Sequence, residues 1–146
     1  MGDRCWVQVT VRKEQEKQFC EVVGYDCDER SEDECTVTMN FPDANYGMGP
    51  PLDHAAVAGI EFYGSHTSGD SYGAADFFYS ANRDSEVVYI PTGHHGSGIV
   101  VTGSSPGDRW RRLRALEEHL VKQHDLIQRM HNPLYDLVRT ADAAAS

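Results

Sequence analysis

Cys5-Trp6-Val7-Gln8-Val9-Thr10-Val11 alternates with a period of two, placing Val7, Val9 and Val11 on one face and Gln8 and Thr10 on the other. Successive side chains of an extended chain point to opposite faces, so this is the pattern of a half-buried strand. The alternation returns in residues 36–41 (TVTMNF), with Val37, Met39 and Phe41 together and Pro42 ending the run. Between them, residues 12–23 (RKEQEKQFCEVV) are dense in helix formers, and Phe19, Val22 and Val23 form an apolar patch before Gly24. A strand, a short amphipathic helix and a second strand are expected.

Residues 42–51 hold three prolines and two glycines and read as a loop. Residues 52–59 (LDHAAVAG) have room for about two helical turns closed by Gly59. Residues 60–64, 75–81, 86–90 and 99–102 are rich in β-branched and aromatic side chains, with Gly, Asn, Asp and Ser clusters between them, and predict four further strands. Residues 82–85 (NRDS) suit a hairpin connection. Ser105, Pro106 and Asp108 form a helix start, and Leu113, Leu116, Leu120, Ile127 and Met130 recur at helical spacing, predicting a long helix over 106–131. Asn132-Pro133 breaks it, residues 134–139 add a turn or two, and 140–146 form a flexible tail. The expectation is one α+β domain over residues 1–139. It has a mainly antiparallel sheet of five or six strands, with a short N-terminal and a long C-terminal helix on one face.

The chain has 146 residues, 40% of them hydrophobic, which suits a single core. Its net charge is −10, a balance that repels phosphates and disfavours direct nucleic-acid binding through a basic groove. The start lacks the apolar stretch of a secretory signal and no window reaches the length of a membrane span, so a soluble, cytoplasmic protein is expected. Cys5, Cys20, Cys27 and Cys35 contain no C-x-x-C pair and read as reduced thiols.

The charge is unevenly spread. Residues 18–108 hold fifteen acids against Arg30 and Arg83, a net −13, while 1–17 and 109–146 sum to +1 and +2. The densest part, residues 26–34 (DCDERSEDE), sets Asp26, Asp28, Glu29, Glu32, Asp33 and Glu34 against Arg30 alone. Such crowding is tolerable only where water and salt screen it, which predicts a surface loop. That loop is either simply solvated or a recognition surface for a basic partner, with Asp43, Asp53, Glu61, Asp70, Asp76, Asp84 and Glu86 extending it if they face the same way. Aromatic rings share the section: Tyr46, Phe62, Tyr63, Tyr72, Phe77, Phe78, Tyr79 and Tyr89. Phe77 and Tyr79 should lie on one face of their strand and Phe78 on the other. The candidate partner-binding residues are therefore Asp26, Asp28, Glu29, Glu32, Asp33, Glu34, Tyr63, Tyr72, Asp76 and Tyr79. Arg109, Arg111, Arg112 and Arg114 stand at the wrong end of the helix dipole, and pairing with the acidic loop is the expected compensation.

Catalytic signatures are absent from the sequence pattern. Ser65, His66 and Asp70 sit too close together for a triad, and no G-x-S-x-G, H-x-x-x-H or H-E-x-x-H occurs. His66, His94 and His95 are the alternative, a loop metal site, and His124 is expected to pack within its helix. In layout the chain resembles the small, acidic, Gly- and Tyr-rich α+β proteins of phages and plasmids. That resemblance implies an inhibitor of host defence, of the anti-CRISPR or anti-restriction kind, that mimics nucleic acid; it carries over no functional residue. The expected function is a non-enzymatic protein without cofactor that engages a basic site on a protein partner. A small metal-dependent hydrolase and a homo-oligomeric module, a homodimer in the simplest case, are the alternatives.

Overall fold

A computed structural model describes residues 4–69, 72–81, 83–92 and 101–132. The first alternating stretch becomes strand β1 (Arg4–Arg12), in which Val7, Val9 and Val11 are wholly buried while Gln8 between them is exposed. A 3-10 turn (Lys13–Gln15) then leads into helix α1 (Glu16–Val23), so the helix is shorter than the propensities of residues 12–23 predict. Gly24, at φ 72°, closes α1 in the left-handed conformation that only glycine enters without strain.

Strands β2 (Glu29–Glu32) and β3 (Thr36–Asn45) form a hairpin. β3 runs through Pro42 instead of ending there, because the ladder with β1 shifts from Val7 opposite Phe41 to Cys5 opposite Ala44. The extra residue of that bulge is where a proline without an N–H does least harm. Helix α2 (Gly49–Val57) starts three residues earlier than expected, taking Pro50 and Pro51 into its first turn, where no hydrogen bond is lost. Strands β4 (Phe62–His66), β5 (Ala75–Tyr79) and β6 (Val88–Pro91) follow as an antiparallel meander, and helix α3 (Pro106–Met130) closes the described chain. Ser105 caps α3 by accepting from the Asp108 N–H at 3.2 Å, as its sequence predicts.

The sheet order is β2-β3-β1-β4-β5-β6, antiparallel at every pairing, so the layout is the expected α+β one with six strands. Two expectations are corrected. Residues 29–32, inside the acidic stretch, form an edge strand and not a loop. Val101 and Thr102 are in no strand, while Ile99 and Val100, like residues 133–146, lie outside the described residues.

The helices also divide between the two faces instead of sharing one. Phe62, Phe77 and Tyr79 pack with Phe19 and Val23 of α1 and Leu52 and Ala55 of α2. Phe78 and Ile90 pack with Leu126 and Met130 of α3 on the other side, with Tyr63, Val88, Leu116 and Leu120 against them. The cause is the adjacent pairs Phe62-Tyr63 and Phe77-Phe78: neighbours in a strand face opposite ways, so this half of the sheet is apolar on both sides and needs cover on both. β1 and β3 show Gln8, Thr10, Thr38 and Asn40 on the α3 side instead. Gly64 of β4 is a close-approach site, since a Cβ there would lie 2.0 Å from the Gln8 carbonyl oxygen and 2.9 Å from the Phe77 ring.

Candidate protein-binding surface

Asp26, Asp28, Glu29, Glu32, Asp33 and Glu34 are all exposed, gathered along β2 and its two flanking turns at one edge of the sheet. Among the described residues β2 pairs only with β3, which leaves it at the edge of the sheet, and charged side chains on such an edge discourage pairing with further strands. The acids do not share one face. Arg30 and Glu32 lie opposite Met39 and Val37, on the side of α1, whereas Glu29 lies opposite Asn40 on the other side.

Two of the six are committed to holding the hairpin. Arg30 donates to both Glu16 oxygens and to Glu32 at 2.9 Å, tying β2 to α1 and lowering the Glu16 pKa. Asp33 Oδ1 accepts from the Thr36 N–H at 2.8 Å, the Cys35 N–H at 2.9 Å and the Thr36 hydroxyl at 3.0 Å. These hydrogen bonds, helped by His131, hold its carboxyl down at about 2. Among the described residues, Asp26, Asp28, Glu29 and Glu34 have no ion-pair partner.

A carboxyl with a depressed folded pKa stabilises above its unfolded range, near 3.8, and the contribution is lost as pH falls through about 2. Amide protection of Cys35 and Thr36 should therefore hold from neutrality to about pH 4 and fall below it. Hydrogen exchange across that range, with Asp33→Asn as a control that removes the pH dependence, checks this. Protection unchanged to about pH 2 in the parent chain would count against the turn.

The remaining candidates scatter. His131, just past α3, sets Nδ1 3.0 Å from Asp33 and Nε2 2.6 Å from the Tyr63 hydroxyl, so Tyr63 serves to fasten the helix end to the sheet. Burial raises the Tyr63 pKa, keeping the phenol protonated. Tyr79 is corrected from surface to core, since its ring lies 6.1 Å from Phe62 and it is 9% exposed. Tyr72 is half-buried against the α1 side of the core and stands edge-on to His66 at 5.4 Å. Asp76 of β5 is half-buried opposite Ile90, on the α3 side and three strands away from β3. Of the extending acids, Asp43 pairs with Arg4, Asp84 with Lys122, and Glu61 is buried between Arg12 and Arg129. Asp53 and Glu86 are exposed, on α2 and before β6.

The arginines of α3 do not meet the acidic stretch. Arg111 pairs with Asp108, Arg112 donates to the Thr102 hydroxyl, Arg109 to the Gly103 carbonyl, and Arg114 lies 5.9 Å from the Trp110 ring. The acidic hairpin instead meets His131 at the opposite end of the helix. Nothing in the local sequence marks Glu16, His131 or Glu61 as partners, because each contact joins elements far apart in the chain.

His66 belongs to β4 rather than a loop. Its ring is stacked 6.4 Å from Phe77 and tilted 6.3 Å from Tyr89, and Nδ1 donates to the Thr67 carbonyl at 2.9 Å. Gly47, at φ 63°, leaves it room: a Cβ there would come within 3.1 Å of the imidazole. Asp70, His94, His95 and the Tyr46 side chain lie outside the described residues. Among the described residues, no three His, Cys, Asp or Glu side chains come together to hold a metal, and no helix is long and apolar enough to cross a membrane. His124 is exposed instead of packed. No family model, no curated protein and no solved structure matches the chain.

Proposed function

We propose that the protein is a binding module whose acidic sheet edge engages a basic site on a protein partner, in competition with nucleic acid for that site. The observation that carries the reading is the set of exposed carboxylates, Asp26, Asp28, Glu29 and Glu34, on and beside an edge strand and without ion-pair partners among the described residues. The repulsion among them is relieved when cations approach, and a groove built for phosphates offers those cations in a row. The hairpin that carries them is braced by Arg30, Asp33 and His131, so little ordering entropy is lost on contact. A protein of this kind would act as an inhibitor of a nucleic-acid-handling enzyme, a defence nuclease among them.

Charge reversal at Asp26, Asp28, Glu29 and Glu34 tests it, leaving Glu32 and Asp33 in place to hold the hairpin. The parent chain should displace a labelled oligonucleotide from a basic, nucleic-acid-handling target of its own host. The four-lysine variant should lose at least about tenfold in affinity, and added salt should weaken the parent in the same direction. Binding that is insensitive to both changes would sink the electrostatic reading.

A further inference from the structure

Helix α3 is only partly used by the fold. Its packing onto the sheet begins at Leu116 and is complete at Leu126 and Met130, while nearly every residue of the first ten is exposed. A bare helical segment of that length is marginal in water, so cover would stabilise it. Its outer face carries Trp110, Leu113 and Val121, which are 60%, 45% and 64% exposed. At 100° per residue Trp110 and Val121 fall within roughly 20° of each other, while Leu126 is roughly 160° away on the sheet side. Arg114 and Glu117 lie on the same outer line, giving Trp110, Arg114, Glu117 and Val121 at alternating spacings of four and three.

We propose that this face binds the same face of a second copy of the chain, helix against helix and antiparallel. With the two-fold axis passing between Ala115 and Leu116, Trp110 meets Val121 of the second copy and Arg114 meets its Glu117, and symmetry repeats both contacts. A parallel pairing would set Arg114 on Arg114 and Glu117 on Glu117, so the charge order selects the antiparallel one. The shape agrees with this. A shallow hollow of about 500 Å³ lined by Arg114, Glu117, Glu118, Val121 and Lys122 lies where the indole of the second copy arrives. The sheet packs on the other side of α3, so each copy keeps its own sheet outermost.

The interface is a single helix pair, which puts it in the weak class, with dissociation on the order of 10 μM. This inference is independent of the acidic edge, whose variants leave it untouched. Sedimentation equilibrium from about 1 to 200 μM should show a monomer–dimer equilibrium for the parent chain. Arg114→Glu alone and Glu117→Arg alone should each weaken it at least about tenfold, since each places like charges together. Mixing the two single variants should restore a dimer, because every layer of the mixed pair then joins opposite charges. All these positions are exposed, and circular dichroism verifies that each variant is folded. A parent chain that is monomeric at about 200 μM, single variants that dimerise undiminished, or a mixture that stays monomeric would each overturn the proposal.

Discussion

Phe62→Ala should destabilise the protein by about 3–5 kcal/mol, read as a fall in the urea midpoint with little change in slope. Phe62 is wholly buried, and its ring is the point where three others meet: Phe19 at 6.1 Å, Phe77 at 6.0 Å and Tyr79 at 6.1 Å. Alanine removes both the transferred apolar area and the contacts with three rings, and the surrounding strands are too tightly registered to close the gap. A domain of this size has only about 5–15 kcal/mol in hand, so much of its margin would go. A loss below about 1 kcal/mol would mean that the α1 face is not packed around this ring.

Glu61→Ala should cost a comparable amount, about 3–5 kcal/mol, for a different reason. Glu61 lies between two guanidiniums, accepting from Arg12 at 2.6 Å and from Arg129 at 3.4 Å, and it also takes the Ala81 N–H at 3.2 Å. The side chains of Glu61, Arg12 and Arg129 are only 9%, 15% and 10% exposed. Truncating the carboxylate leaves two largely desolvated cations facing each other; Asp125, 3.1 Å from Arg129 Nε, offsets only part of this. The network joins the end of β1, the start of β4 and the last turns of α3, so its loss should also loosen the helix. Hydrogen exchange in residues 122–130 is the local readout, and urea unfolding the global one. Combining Glu61→Ala with Arg129→Met should recover part of the loss, because it removes one of the two buried cations left facing each other without the carboxylate between them. Additive losses in that double variant would contradict the account.

Much of the fold was legible because periodicity reports burial directly. β1, β3, α1 and α3 each carry an apolar face whose spacing admits one element type, and Ser105, Gly24 and Gly59 mark ends by local backbone chemistry. β2 was not legible. Its four residues, ERSE, are all exposed and have neither an apolar face nor β propensity, so only pairing with β3 makes them a strand. The adjacent aromatic pairs did carry the signal for two covered faces, since Phe78 cannot share a side with Phe77 and Tyr79. The candidate surface was half legible: the exposure of the six carboxylates followed from their mutual repulsion. Which of them the hairpin consumes did not, because Arg30 to Glu16 and Asp33 to His131 span 14 and 98 residues.

By itself the sequence determined the α+β class, the antiparallel central strands, the long capped helix and an acidic section of net −13 between nearly neutral ends. These follow from side-chain period, capping chemistry and charge counting, all of which act over a few residues. Only the tertiary structure decided that α1 and α3 take opposite faces, that Glu61 and Tyr79 are interior, and that Arg114 and Trp110 stand on a helix face the sheet leaves bare. Those outcomes depend on which distant segments compete for the same surface, a balance set by packing and desolvation across the whole chain and not by any local stretch of it.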